Sequence, residues 1–210
     1  MQEEYRTIEK EAFDEFTERR SRFIGYAKPV QTEEQAIKFI NDKKKQHWDA
    51  THNVYAYRLR EGSVQRYSDD GEPQGTAGVP VLDVLQKSDV TDCVVVVTRY
   101  FGGILLGAGG LVRAYSHGAS VALQAGGFLQ MKLCEYGFVA CDYSRYGRVA
   151  PLIMSHGGVI DSTDYTDQVA VHFHIEKDNL PPLQEELTEL SAGDLSIECT
   201  GEAFCAFPEK

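Results

Sequence analysis

The residues that could do chemistry are concentrated between Asp69 and His117. Asp69-Asp70-Gly71-Glu72-Pro73 sets three carboxylates around a turn, and Gln74-Gly75-Thr76-Ala77-Gly78 leads onward into a helix. Thr98-Arg99-Tyr100-Phe101-Gly102-Gly103 leaves a β-branched run at its carboxyl end. Leu106-Gly107-Ala108-Gly109-Gly110-Leu111 then opens a helix that carries Arg113 and His117. Gly102, Gly103, Gly107, Gly109 and Gly110 would let the backbone approach an anion, and the helix start beyond them offers free N–H groups. Arg99 and Arg113 add cationic forks suited to phosphate or carboxylate. The segment reads as an anion cradle; the alternative is a tight strand-to-helix connection in which glycine serves packing.

Other chemistries have weaker support. Asp69, Asp70 and Glu72 could hold Mg²⁺ beside a phosphate, although Asp-Asp-Gly is also ordinary turn chemistry. His52, just before a strand, could serve as an acid or base, or as a structural hydrogen-bonding group. His172 and His174 share a strand face without a third zinc ligand. Ser116 and His117 are adjacent on a helix and point apart, so they are no nucleophile–base pair. The loop is neither G-x-x-x-x-G-K-[ST] nor G-x-G-x-x-G, and no G-x-S-x-G elbow occurs. Tyr55, Tyr57, Tyr100 and Phe101 could stack on bases or fill a core. No catalytic residue and no obligatory cofactor emerges.

The elements that must position these residues follow from periodicity. Glu11–Glu18 and Ser21–Val30 read as strands, and Thr32-Glu33-Glu34-Gln35 as a capping box. The helix after it is expected to bury Ala36, Ile37 and Ile40 and to end on Lys43, Lys44 and Lys45, which suit its negative pole. Asn53–Leu59 alternates, with Val54 and Ala56 on one face and Tyr55 and Tyr57 on the other. Thr76–Gln86 reads as a helix. Cys93–Val97 is a continuous apolar run, as in a strand covered on both faces. Leu111–Ala125 is a helix rich in small residues, able to lie close to a sheet. Ala125-Gly126-Gly127 then punctuates the chain and places a domain boundary near residue 130.

Residues 131–210 read strand–helix–strand–strand–helix–strand. Lys132–Cys141, Val159–Asp161, Val169–Ile175 and Leu195–Phe207 are the strands. Val149, Leu152 and Ile153 mark one helix, expected to kink or start late because of Pro151. Leu183, Leu187 and Leu190 mark the other, opened by Pro181 and Pro182. The fold class is therefore α+β, with a ferredoxin-like βαββαβ second domain.

The 210 residues carry a net charge of −11, which argues against indiscriminate coating of nucleic acid or anionic lipid. The charge is uneven. Residues 1–130 hold 16 basic against 18 acidic side chains, and residues 131–210 hold 5 against 14. Contact with RNA is therefore expected in the first domain, with Arg58, Arg60 and Lys43–Lys45 extending the patch. No 18-residue apolar run is present, so no membrane partner is expected. Five cysteines without a C-x-x-C pair, and no apolar leader, point to reduced thiols in a cytoplasm.

Taken together, the blocks Asp69–Pro73, Gly75-Thr76-Ala77-Gly78-Val79-Pro80, Thr98–Gly103 and Leu106–Tyr115, with Asp49-Ala50-Thr51-His52-Asn53 before them, resemble the IMPACT/YigZ family, in its bacterial two-domain form. The resemblance covers residues 15–125 most strongly. It implies a first domain like the second domain of ribosomal protein S5, and a second like the last domain of translocation elongation factors. Eukaryotic relatives regulate translation by competing for an activator of a starvation-responsive initiation-factor kinase, using an additional N-terminal domain. This chain starts almost directly at the shared domain, so that partnership is not expected to carry over. The expectation is a non-enzymatic regulator of translation that contacts RNA, the ribosome or a translation-associated protein through the glycine/arginine segment. A small phosphorylated ligand, bound with Mg²⁺ by an enzyme or sensor, is the alternative.

Overall fold

The computed structural model describes residues 4–208, in two compact units. One gathers residues 5–130, the other residues 131–207 with Glu4.

In the first unit, β2 (Ala12–Glu18), β3 (Ser21–Pro29), β4 (His52–Arg58), β5 (Gln65–Ser68) and β6 (Cys93–Tyr100) form an antiparallel sheet in the order β2-β3-β6-β4-β5. Helix α1 (Glu33–Gln46) covers one face; α2 (Gly78–Lys87) and α3 (Ala108–Gly126) cover the other. This explains the unbroken valine run. Val94 and Val96 pack with Phe39 and Ile40 of α1, while Val95 and Val97 pack with Leu85 of α2 and Tyr115 of α3. Strand β4 divides as expected, with Val54 and Ala56 towards α2 and α3 and Tyr57 towards α1. The expected α1 face needs one correction. Ile37 is exposed and Phe39 is buried, because positions 36, 39, 40 and 43 share a helix face and 37 turns away from it.

Small residues bring α3 close to the sheet. A Cβ on Gly25 would lie 2.0 Å from the Gly118 carbonyl oxygen, and one on Gly118 would lie 2.8 Å from a Val97 methyl. The strand β1 (Glu4–Ile8) adds Ile8 to the same core.

The second unit contains β7 (Phe128–Cys141), α4 (Tyr143–Ser155), β8 (Val159–Tyr165), β9 (Val169–Glu176), α5 (Leu180–Ser191) and β10 (Glu198–Pro208). Strand β9 lies between β7 and β8, antiparallel to both, and β10 pairs with β7. That order is the split βαβ arrangement of a ferredoxin-like domain. Val139, Val171, Phe173, Leu183 and Leu187 fill its core against α4 and α5. Of the two outcomes expected of Pro151, a kink or a late start, the late start does not occur: α4 begins at Tyr143 and runs through Pro151. All five cysteines are free thiols, and Cys93, Cys134 and Cys141 are buried.

Candidate functional site

The loop from β5 to α2, the start of β4, the end of β6 and the first turns of α3 meet at one end of the first unit. Asp69 holds that loop to its helix. Its carboxylate accepts N–H bonds from Gly75 (2.9 Å), Ala77 (3.1 Å) and Gly78 (2.7 Å), so it satisfies the opening of α2 from nine residues upstream. Asp70, in the left-handed region at φ 45°, ties the loop to β4 and α1. One carboxylate oxygen accepts from the Asn53 N–H at 2.7 Å and the other from Lys44 Nζ at 2.5 Å. The Asp70 carbonyl accepts from His52 Nδ1 at 2.8 Å, which places the imidazole proton on Nδ1 and leaves Nε2 facing Glu72 at 3.8 Å.

Glu72 is the buried member, only 8% exposed. Its Oε1 accepts from Arg99 Nη1 at 2.6 Å and from the Tyr115 hydroxyl at 2.7 Å. Burial, and then the Glu72 charge, push the Tyr115 hydroxyl far above the usual phenol range. Arg99 is 5% exposed, and its guanidinium carbon lies 5.6 Å from the Phe23 ring centre and 5.3 Å from that of Phe101. Buried charges persist when paired and hydrogen-bonded; Arg99 is paired with Glu72 through Nη1, while its buried Nε has no hydrogen-bond partner among the described residues.

A second network lies behind the first. The Tyr100 hydroxyl donates to Asp49 at 3.1 Å and accepts from His47 Nδ1 at 2.9 Å, and His47 Nε2 accepts from the Tyr26 hydroxyl at 2.7 Å. That order uses a neutral His47. Burial, followed by the Lys43 and Arg22 charges, lowers its pKa and favours the same form.

The expected site residues therefore separate. Arg99 is not the surface fork that the sequence suggests; it turns inwards to neutralise Glu72. The three carboxylates of the turn hold a helix opening, a strand start and an arginine, and among the described residues no three metal-ligating side chains form a group that could hold an ion. His52 is a loop fastener through its Nδ1. Most of the wider basic patch is also paired within the unit, while Lys45 is exposed. Arg58 donates to the carbonyls of Leu85 and Val90, Arg60 pairs with Asp92, Lys43 with Glu11 and Lys44 with Asp70. Of the four aromatics, Tyr57 is core, Tyr55 is half-buried, Tyr100 belongs to the His47 network and Phe101 is exposed. His172 and His174 each meet their own aspartate, Asp164 and Asp161.

At the surface stay Gly103, Gly107, Gly109 and Arg113, with Gly110 half-buried. Gly102 has a packing role, since a Cβ there would lie 2.0 Å from the Arg20 carbonyl oxygen. A groove of about 450 Å³ lies alongside, lined by Phe16, Arg19, Leu106, Gly110, Arg113 and His117 among others. Arg19 was not visible as a site residue in the sequence. The signal for it is the two-residue turn Arg19-Arg20, with φ of 45° and 67°, which joins β2 to β3 and brings two arginines to the level of the glycine loop.

The family model for the Impact N-terminal domain matches residues 19–123, and that of a domain of unknown function matches residues 139–194. The chain is 39% identical over 199 residues to IMPACT family member YvyE of Bacillus subtilis, covering 94% of this chain and 92% of that protein. It is 35% identical over 183 residues to IMPACT family member YigZ of Escherichia coli, covering 85% and 89%. Protein IMPACT-A of Xenopus tropicalis is 41% identical over 97 residues, 43% of this chain and 30% of that protein. A crystal structure described as a hypothetical protein superposes with a TM-score of 0.61 at 29% identity, covering 96% of this chain and 99% of the other. No helix among the described residues is long and apolar enough to cross a membrane. The matched domains, in this order and at this coverage, make the chain a member of the IMPACT family.

Proposed function

We propose that this protein is a non-enzymatic regulator of translation that contacts RNA through the surface at the amino end of α3. The observation that carries the proposal is the groove beside exposed Gly107 and Gly109, where Arg19 and Arg113 stand at the surface of a unit with little net charge. Phosphates need such cations, and contact with a few phosphates would suffice for a focused site on an acidic protein. The potential acids and bases nearby, His52, Asp69, Asp70 and Glu72, are engaged in holding the loop and supply no reaction centre. The acidic second unit would repel phosphates and suits a protein neighbour.

Co-sedimentation with ribosomes and their subunits across a salt series tests this, with nuclease treatment as a parallel arm. Binding that falls with salt and is lost after nuclease treatment supports RNA contact. Absence of binding to every ribosomal species at low salt overturns it.

A further inference from the structure

The groove contains more than cations. Phe16 stacks on the buried Phe23, with ring centres 5.2 Å apart and planes 7° apart, and Phe23 meets Tyr115 edge-on at 5.4 Å. At the other end His117 stands edge-on to Phe16 at 4.5 Å and is exposed. A column of aromatic rings thus runs out from the Tyr115–Glu72–Arg99 cluster and ends in the groove. Arg113 lies four residues before His117, on the same face of α3, so a cation and a ring stand side by side. Arg19 approaches from the β2–β3 turn; Leu106 and Ala114 supply apolar lining, and the Thr17 hydroxyl and Glu18 carboxylate supply polar groups.

We infer that this groove binds one unstacked nucleotide of single-stranded RNA, its phosphate on Arg113 and Arg19 and its base against His117. This rests on the RNA reading above and deepens it. The volume falls within the ~300–1,000 Å³ of small-molecule sites. Duplex RNA keeps its base faces stacked inside the helix and shows a protein only backbone, 2′-hydroxyls and minor-groove base edges, so a concave site with a ring in it suits a strand whose bases can splay out. An exposed ring at the mouth of the groove adds sequence-tolerant affinity by stacking on a base, and flanking arginines hold the backbone. Thr17 and Glu18 can meet the base edge or the 2′-hydroxyl.

The test is fluorescence anisotropy with a short single-stranded RNA, the same sequence as a duplex, and free AMP as competitor. Wild type is compared with Arg113→Gln and His117→Ala, both at exposed positions, and folding is checked by thermal melting. The single strand should bind at least tenfold more tightly than the duplex. His117→Ala should weaken the single strand about tenfold and leave the duplex unchanged, while Arg113→Gln should weaken both. Equal binding of strand and duplex, unaffected by His117→Ala, would overturn the nucleotide site while leaving RNA contact standing. AMP that competes as tightly as the strand would replace RNA by a free nucleotide. No binding of either RNA would defeat this inference and the RNA reading together.

Discussion

Arg99 Nη1 and Glu72 Oε1 meet at 2.6 Å, with both side chains almost completely removed from solvent. The pair joins the end of the central strand to the β5–α2 loop, and Tyr115 adds α3 through the same carboxylate oxygen. Three elements of the site therefore converge on one atom. Breaking the pair from one side leaves the other charge buried and uncompensated. Glu72→Ala or Arg99→Ala should each cost about 3–5 kcal/mol of stability in urea unfolding. Replacing both with methionine should cost less than either alone, because no charge is then stranded.

Asp69 gathers three backbone N–H groups at the start of α2. Asp69→Ala should destabilise the protein by about 1–2 kcal/mol. Amide hydrogen exchange should rise first at Gly75, Ala77 and Gly78, and β10 in the other unit should keep its protection.

The close approach of Gly25 and Gly118 leaves no room for a methyl group, since the Gly25 Cβ would fall 2.0 Å from a carbonyl oxygen. Gly25→Ala must push α3 away from β3. The cost should reach or exceed the ~1–3 kcal/mol typical of overpacking, read as a lowered melting temperature. Gly201→Ala, where nothing lies within 4 Å of the added carbon, is the control and should melt with the wild type.

Neutral His47 sits between Tyr26 and Tyr100, with its pKa below the ordinary histidine value. The unfolded chain takes up a proton at His47 near pH 6.5 and the folded chain only at lower pH. Stability from this group is therefore fully present above about pH 6.5 and is lost as pH falls through the window down to the folded value. His47→Gln removes the titrating ring, so its unfolding free energy should fall less steeply than wild type's below pH 6.5. Parallel curves for the two proteins would show that His47 does not carry the slope.

Much of the framework is legible in the residue pattern. The alternation in Asn53–Leu59, the solid Cys93–Val97 run and the βαββαβ succession after residue 131 depend on local periodicity. Short polar Gln65–Ser68 has no such signal, and its edge-strand role depends on β4 lying beside it. Glu4–Ile8 escapes notice because the charged Glu4 and Arg6 interrupt its buried Tyr5, Thr7 and Ile8. At the site, the clustering of Asp69, Asp70, Glu72, His52 and Arg99 is readable, but the direction of each side chain is not. Arg99 faces inwards because β6 places Thr98, Arg99 and Tyr100 on alternating faces and Glu72 lies across from one of them. Arg19 gains its place only when the β2–β3 hairpin folds back beside α3.

If RNA contact runs through Arg113 and not through the buried Arg99, charge reversal at Arg113 should weaken it. The affinity of a ribosomal RNA fragment would be measured from low to moderate salt for wild type and Arg113→Glu, both confirmed folded. Wild-type binding should weaken with salt, and Arg113→Glu should lose affinity at every salt concentration with a log–log salt slope shallower by about one phosphate contact. Identical affinities and slopes for the two proteins, or no binding at the lowest salt, would rule out RNA contact through Arg113.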